Sequence, residues 1–452
     1  MTRNIRAPKV GYRCADCGHE VAKWLGRCPD CQAWGTVEQV AARPAPARLA
    51  AGAPAAPARR IVDVDVEAAR TQPTGIAELD RVLGGGLVPG VVVLLAGEPG
   101  VGKSTLLLAV AARSAAAGRR VLYVTGEESA PQVRLRADRT GAVYEELYLT
   151  AESDLATVLG QIEAVDPRLL VVDSVQTIAS GLVEGSPGGV TQVRAVATAL
   201  VAVAKERGLP VLLVGHVTKD GSVAGPKVLE HVVDVVLHFD GERHSTLRMV
   251  RGVKNRFGPT DEVGCFELAD DGIAGVTDPS GLFVQRRDFP VAGTAVTVVI
   301  EGKRPLLAEV QALVAFSGMP TPRRAVSGLD SPRLAMVLAV LERRLRVRLA
   351  DREVFAATVG GMRISEPAAD LAVALAVASA AEDRPLLPNT VVLGEVGLAG
   401  DVRRVNGVGR RLAEAARLGY TRALVPMDAG PVPDGIRATV VTDLESAMQV
   451  LR

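Results

Sequence analysis

Short apolar runs recur along the middle of the chain, each followed within three residues by a glycine, a carboxylate or a histidine: Val91 to Ala96, Val121 to Val124, Leu169 to Val172 and Val211 to Val214. Runs of this length, apolar throughout rather than alternating, predict strands buried on both faces of a parallel sheet. Between them lie segments that continue as helices, such as the one entered by Leu106 to Val110. A short helix from Thr74 to Leu83 and the turn Gly84 to Gly90 lead into the first strand. Strands over Val232 to Phe239 and Leu247 to Val250 complete an α/β domain over 61–270.

From about Gly281 the texture changes. Strands are predicted at Val296 to Glu301, Val354 to Gly360, Val391 to Glu395 and Ala438 to Thr442. Helices are predicted at Ser331 to Arg348, Glu366 to Ala381 and Arg410 to Leu418, with a terminal helix after the last strand. This second α/β unit, 281–452, carries no phosphate loop. The first sixty residues show neither period. Residues 9–36 hold paired cysteines, and 37–60 form a Pro/Ala tract that reads as a semi-extended linker.

Composition narrows the class. The 452 residues are 48% hydrophobic and 23% charged, which fits globular domains and excludes long disorder. With a net charge of +1, any polyanion site must be local. Aromatics at 3% argue against an extended base-stacking platform. The N-terminus has no apolar signal region, and no apolar run is long enough to span a bilayer, so a cytoplasmic location is expected.

The strand at Val91 to Ala96 runs into Gly97-Glu98-Pro99-Gly100-Val101-Gly102-Lys103-Ser104-Thr105 and then a helix. Glycines let successive N–H groups curl round an anion, and the helix N-terminus adds positive potential. Lys103 is placed to reach the β- and γ-phosphates of ATP, and the Ser104 hydroxyl to ligate Mg2+. Asp173 ends an apolar strand in the layout that holds Mg2+ through its water shell. Glu127 and Glu128 end another, where a carboxylate points into the ligand crevice. His216 ends a third, as a core histidine or a γ-phosphate sensor. The loops Ser180 to Val190 and Val217 to Pro226 leave the same edge and are candidates for a second ligand.

Cys14, Cys17, Cys28 and Cys31 form C-x2-C-x10-C-x2-C. Two close pairs can surround one ion tetrahedrally, and Zn2+ suits four sulfurs; two disulfides are the alternative, disfavoured in a reducing cytosol. The site is closed and therefore structural. Trp24 and Trp34 either pack on this ribbon, the favoured reading, or offer a contact surface. Cys265 is read as a small core residue. Arg343, Arg344, Arg346 and Arg348 complement a helix end or contact phosphate.

The order of zinc ribbon, P-loop domain, Lys254-Asn255-Arg256-Phe257-Gly258 and C-terminal α/β domain resembles the bacterial RadA (Sms) DNA-repair ATPases across essentially the whole chain. GGGLVPG, YVTGEES, VVDSVQT, KNRFG and GEVGLAGDVRRV carry the resemblance. It implies a RecA-like core, a homo-hexameric ring, ATP-driven branch migration on single-stranded and branched DNA, and a recombinase of the RecA type as partner. It implies that Glu127 orients the attacking water, with Glu128 the competing choice. Lys254 and Arg256, read as a charged loop without a partner in its own subunit, would serve a neighbour's γ-phosphate. The C-terminal half resembles the proteolytic domain of Lon proteases, with Ala368 where the serine nucleophile belongs and Gly409 where its lysine belongs. No peptidase activity is therefore expected. A Lon-type protease and a non-motor ATP switch are the other readings.

Overall fold

A computed structural model describes residues 11–40, 58, 60–63, 70–216, 226–241, 246–285, 287, 289–319 and 321–449. The linker expected at 37–60 lies outside the described residues over 41–57 and 59, and the loop expected at Val217 to Pro226 does so over 217–225. The chain divides into two compact units, Met1–Asp65 and Val66–Arg452.

In the first unit, β1 (Gly11–Cys14), β2 (Glu20–Val21) and β3 (Val37–Val40) form an antiparallel sheet in the order β2-β1-β3. Its buried apolar residues are Cys14, Cys28 and Val37, with Tyr12 and Val21 against them. So small a cluster cannot offset the chain entropy of a fold, and a metal has to supply the difference. Trp24 and Trp34 do not pack as expected: they are 61% and 74% exposed. Among the described residues of this unit the ribbon is one sheet thick, and no second layer of its own covers them. The two rings flank Gly26, and the Arg27 guanidinium stands 5.6 Å over the Trp34 ring.

The second unit opens with α1 (Ala77–Leu83), ended by Gly84 in the left-handed region. Then come β4 (Val92–Gly97), α2 (Lys103–Ala116), β5 (Val121–Thr125), α3 (Ala130–Arg139), β6 (Leu147–Ala151), α4 (Leu155–Val165), β7 (Leu169–Asp173), α5 (Val190–Arg207) and β8 (Val211–His216). The short α6 (Pro226–Leu229), β9 (Val235–Asp240), β10 (Leu247–Asn255), β11 (Val263–Ala269) and β12 (Gly272–Gly275) follow. These strands build one sheet in the order β12-β11-β10-β9-β4-β8-β7-β5-β6. Strands β4 to β9 run parallel, and β9 to β12 pair antiparallel. One face packs on α1 and α2 around Leu79, Leu106 and Phe266, the other on α4 and α5 around Val158, Val193 and Leu200. Burial on both faces is why β4, β5, β7 and β8 read as unbroken apolar runs.

The rest is β13 (Thr294–Glu301), β14 (Arg304–Phe316), β15 (Arg324–Ser327), α7 (Ser331–Leu345), β16 (Arg352–Thr358), α8 (Asp370–Glu382), β17 (Thr390–Val392), β18 (Glu395–Val396), β19 (Val402–Arg403), α9 (Val408–Arg417), β20 (Arg422–Val425), β21 (Arg437–Val440) and α10 (Leu444–Met448). Seven of these strands form a sheet in the order β15-β16-β14-β13-β17-β20-β21. Helices α7 and α8 cover one face and α9 the other. The two sheets share a core: Leu247, Val263 and Cys265 belong to the same cluster as Phe283, Leu306 and Leu341. Cys265 is buried as expected, and burial pushes its thiol up to about 11. A buried ion pair, Glu78 on α1 with Arg304 on β14, crosses the same boundary. Among the described residues no helix is long and apolar enough to cross a membrane.

Candidate nucleotide site and metal centre

Strand β4 lies at the centre of its sheet, and the chain leaves its C-terminal end through Glu98 to Val101 into α2. Side chains are excluded here by sterics. A Cβ on Gly97 would lie 2.4 Å from the Phe239 carbonyl oxygen, and Gly100 and Gly102 have φ of 79° and 108°. Gly102 caps α2, so Lys103, Ser104 and Thr105 form its first turn. Lys103 is buried, and its Nζ donates to the carbonyls of Gly97 and Glu98, both at 2.8 Å. Burial brings its ammonium down to about 8, against the opposing charges of Asp173 and Glu127. The Ser104 hydroxyl makes no hydrogen bond among the described residues and is open to a ligand.

Asp173 ends β7 next to this loop. It is buried, and the Tyr123 hydroxyl donates to its Oδ2 at 2.6 Å. Burial, then the Asp173 charge, pushes the Tyr123 hydroxyl well above its ordinary value, so it stays a donor. Glu127 and Glu128 part company. Glu127 accepts from Ser174 Oγ at 2.6 Å and from His216 Nε2 at 3.0 Å. Glu128 is turned to α3, where Arg136 Nη1 holds it at 2.9 Å. Two buried atoms near Glu127 have no hydrogen-bond partner, His216 Nδ1 and Gln176 Oε1, while Gln176 Nε2 donates to the His216 carbonyl at 3.4 Å. In the loop after β7, Gln192 donates to the carbonyls of Ser180, Val183 and Gly185 and so shapes Ser180 to Val190, leaving Leu182 97% exposed.

The segment Lys254 to Gly258 departs from expectation. Lys254 lies in β10, not in a loop, and it has partners in its own subunit. Its Nζ donates to the carbonyls of Glu230 and Val233 at 2.6 and 2.7 Å, and burial lowers its ammonium. Arg256 Nη1 pairs with Asp234 at 3.3 Å. Asp234 is buried, so it gathers cations; it also accepts from Lys205 Nζ at 2.6 Å and from the Val92 N–H at 3.0 Å. Register places Lys254 far from the subunit's own phosphate loop. It faces Val236, which pairs with Leu94, whereas the loop springs from Gly97.

Sequence reasoning missed Tyr123, Ser174, Gln176, Asp234 and Arg248. The signal for Tyr123 and Ser174 was a hydroxyl within or beside an aliphatic strand. Arg248 gave none, since a lone arginine in a β-rich stretch reads as a solvated face. It is 7% exposed, and its Nε donates to the Val101 carbonyl of the phosphate loop at 3.0 Å.

The four ribbon cysteines converge, with their sulfurs within 4.8 Å of one another. Cys14 and Cys31 are 3.6 Å apart, and Cys17 and Cys28 3.5 Å. Sulfurs 2.3 Å from a tetrahedral ion stand about 3.8 Å apart, so the set fits Zn2+. The Thr36 hydroxyl, 3.2 Å from Cys14 Sγ, is the first cause that pulls this thiol down to about 6.

Ala368 and Gly409 lie in the C-terminal sheet's neighbourhood, the first buried in a 3-10 turn and the second in α9. Beside them Arg411 grips Glu366 through two bonds of 2.7 Å. Arg343, Arg344, Arg346 and Arg348 are exposed around the end of α7.

Residues 12–39 match the family described as rubredoxin metal binding domain, residues 55–222 the AAA domain, and residues 360–429 the subunit ChlI of Mg-chelatase. The zinc ribbon, the ATP and Mg2+ site and the α/β fold thus stand on both geometry and family. A KaiC-like protein from Pyrococcus horikoshii is 23% identical, covering 46% of this chain and 99% of that one at a TM-score of 0.39. The DNA repair protein RadA of Mycobacterium tuberculosis is 59% identical over 97% of this chain and 92% of its own length. RadA of Bacillus subtilis is 41% identical over 98% of both chains. With identity of this order from end to end, the chain belongs to the RadA family of DNA repair proteins.

Proposed function

We propose that this protein is an ATP-driven motor of recombinational repair. It assembles as a homo-hexameric ring in the cytoplasm, binds single-stranded DNA, and moves the branch point of recombination intermediates alongside a RecA-type recombinase. One observation carries the mechanical part: the cations of KNRFG stand at the far end of the sheet from their own phosphate loop. From there they can serve a γ-phosphate only in another subunit.

Hydrolysis then divides among named groups. Lys103 leaves the Gly97 and Glu98 carbonyls for the β- and γ-phosphates. Ser104 and the water shell of Asp173 would hold magnesium, which when bound would supply charge neutralisation at the phosphate oxygens. Glu127 orients the attacking water and takes its proton, while Ser174 and His216 fix its carboxylate. Lys254 and Arg256 of the next subunit neutralise charge that develops in the transition state. Glu128, engaged by Arg136, supports α3 instead. With a methyl group at Ala368, the C-terminal domain has nothing to acylate and acts as a scaffold.

A branch-migration assay on purified protein tests the reading. ATP-dependent movement of a three-stranded junction, with turnover stimulated by single-stranded DNA, is expected. Binding without movement would make the protein a non-motor switch.

A further inference from the structure

Strand β10 pairs with β11 over Leu247 to Arg251 and with β9 over Met249 to Asn255, so its middle, Met249 to Arg251, is held on both sides. Its two ends meet different things. Near its start, Arg248 is buried and donates to the Val101 carbonyl inside the phosphate loop. At its far end stands Lys254. They stand six positions apart, about 20 Å of strand.

We propose that Arg248 is a positioning residue that couples nucleotide in a subunit's own phosphate loop to the placement of Lys254 in the next subunit's site. The proposal rests on the trans-cation reading above. A triphosphate draws the loop N–H groups inward, which turns the intervening carbonyls, Val101 among them. Arg248 holds that carbonyl in a place closed to water, so it must follow the carbonyl or lose the bond. The stretch Met249 to Arg251, paired on both sides, moves with little bending, and beyond it β10 is carried by β9 alone. The first irregularity along it is the register shift between Gly252 and Lys254, where the displacement emerges. Room for the Arg248 stem is reserved by Gly241, at which a Cβ would lie 2.2 Å from Arg248 Cδ.

The test is a double-mutant cycle in the full-length protein, Arg248→Met against Lys254→Ala. It reads DNA-stimulated kcat at saturating ATP, with equilibrium nucleotide affinity and thermal unfolding measured alongside. Arg248→Met is expected to lower kcat about tenfold where Lys254 is present and to have little effect in the Lys254→Ala background. Arg248→Lys, which keeps a donor for Val101, should recover part of the loss. Gly241→Ala displaces the same side chain without removing it and should repeat the pattern, which covers the case in which Arg248→Met does not fold. Losses that multiply, or an Arg248→Met protein with wild-type kcat, would overturn the coupling and leave the trans cation standing. A Lys254→Ala protein with wild-type kcat would bring down the trans-cation reading and this proposal with it.

Discussion

His216 Nε2 donates to Glu127 Oε1 at 3.0 Å, so the residues ending β8 and following β5 meet above the phosphate loop. Together with the Ser174 hydroxyl it leaves Glu127 one orientation, whereas Glu128 is spent on Arg136. Glu127→Gln should therefore lower turnover by about a hundred- to a thousandfold with nucleotide affinity near wild type. Glu128→Gln should retain most of the turnover and lose some stability. Steady-state hydrolysis beside equilibrium binding of a nucleotide analogue distinguishes the two.

Lys103 gives the pH dependence a sign. In the free protein its ammonium titrates near 8, lowered by burial, and phosphate contact raises it again. Binding thus takes up a proton once the lysine is neutral. Nucleotide affinity should be flat below pH 8 and fall by about tenfold per unit above it. Stability of the nucleotide-free protein runs the other way. The unfolded chain holds the extra proton between pH 8 and the ordinary lysine value, so this residue's contribution rises with pH across that window. Titration calorimetry in buffers of different ionisation enthalpy checks the proton uptake. Lys103→Ala should abolish hydrolysis.

Much of the site was legible because its chemistry is local in sequence. The phosphate loop, Asp173 and the cysteine pairs each announce themselves within a dozen residues, and buried parallel strands read as apolar runs. The parts that depend on distant pairing were not legible. Strand β14 went unseen because RPLLAEVQALVAF mixes good helix formers with no clean alternation, and partners on both sides decide its state. In sequence Lys254 reads as a free loop cation because the carbonyls that receive it, at Glu230 and Val233, lie across a turn. Trp24 and Trp34 were expected to be covered because tryptophan usually is, but a single-layer ribbon offers no cover.

Arg304 and Glu78 join the two sheets in a buried pair, and the Cys265 N–H donates to the same Glu78 Oε2 at 2.8 Å. Removing one partner strands a charge. Arg304→Ala should cost about 3–5 kcal/mol, and the double variant Glu78→Gln with Arg304→Met should cost less. Urea unfolding at constant nucleotide measures both.

Zinc should be found at about one ion per chain, and Cys28→Ala should lose it. The ribbon's own core is three buried residues, so metal loss should expose residues 11–40 to protease while Val66–Arg452 stays resistant. Timed proteolysis with mass spectrometry, with and without chelator, follows both regions in one sample.

The central claim is that each ATP site is completed by the neighbour's Lys254. The direct measurement mixes Lys103→Ala, which lacks the phosphate-loop lysine and is inactive, with Lys254→Ala, which lacks the trans cation and keeps only residual turnover. At equal amounts, roughly a quarter of interfaces pair an intact loop with an intact Lys254, so turnover should reappear at a comparable fraction of wild type. Mixed rings that form and yet turn over no faster than the sum of the two parents would contradict the account.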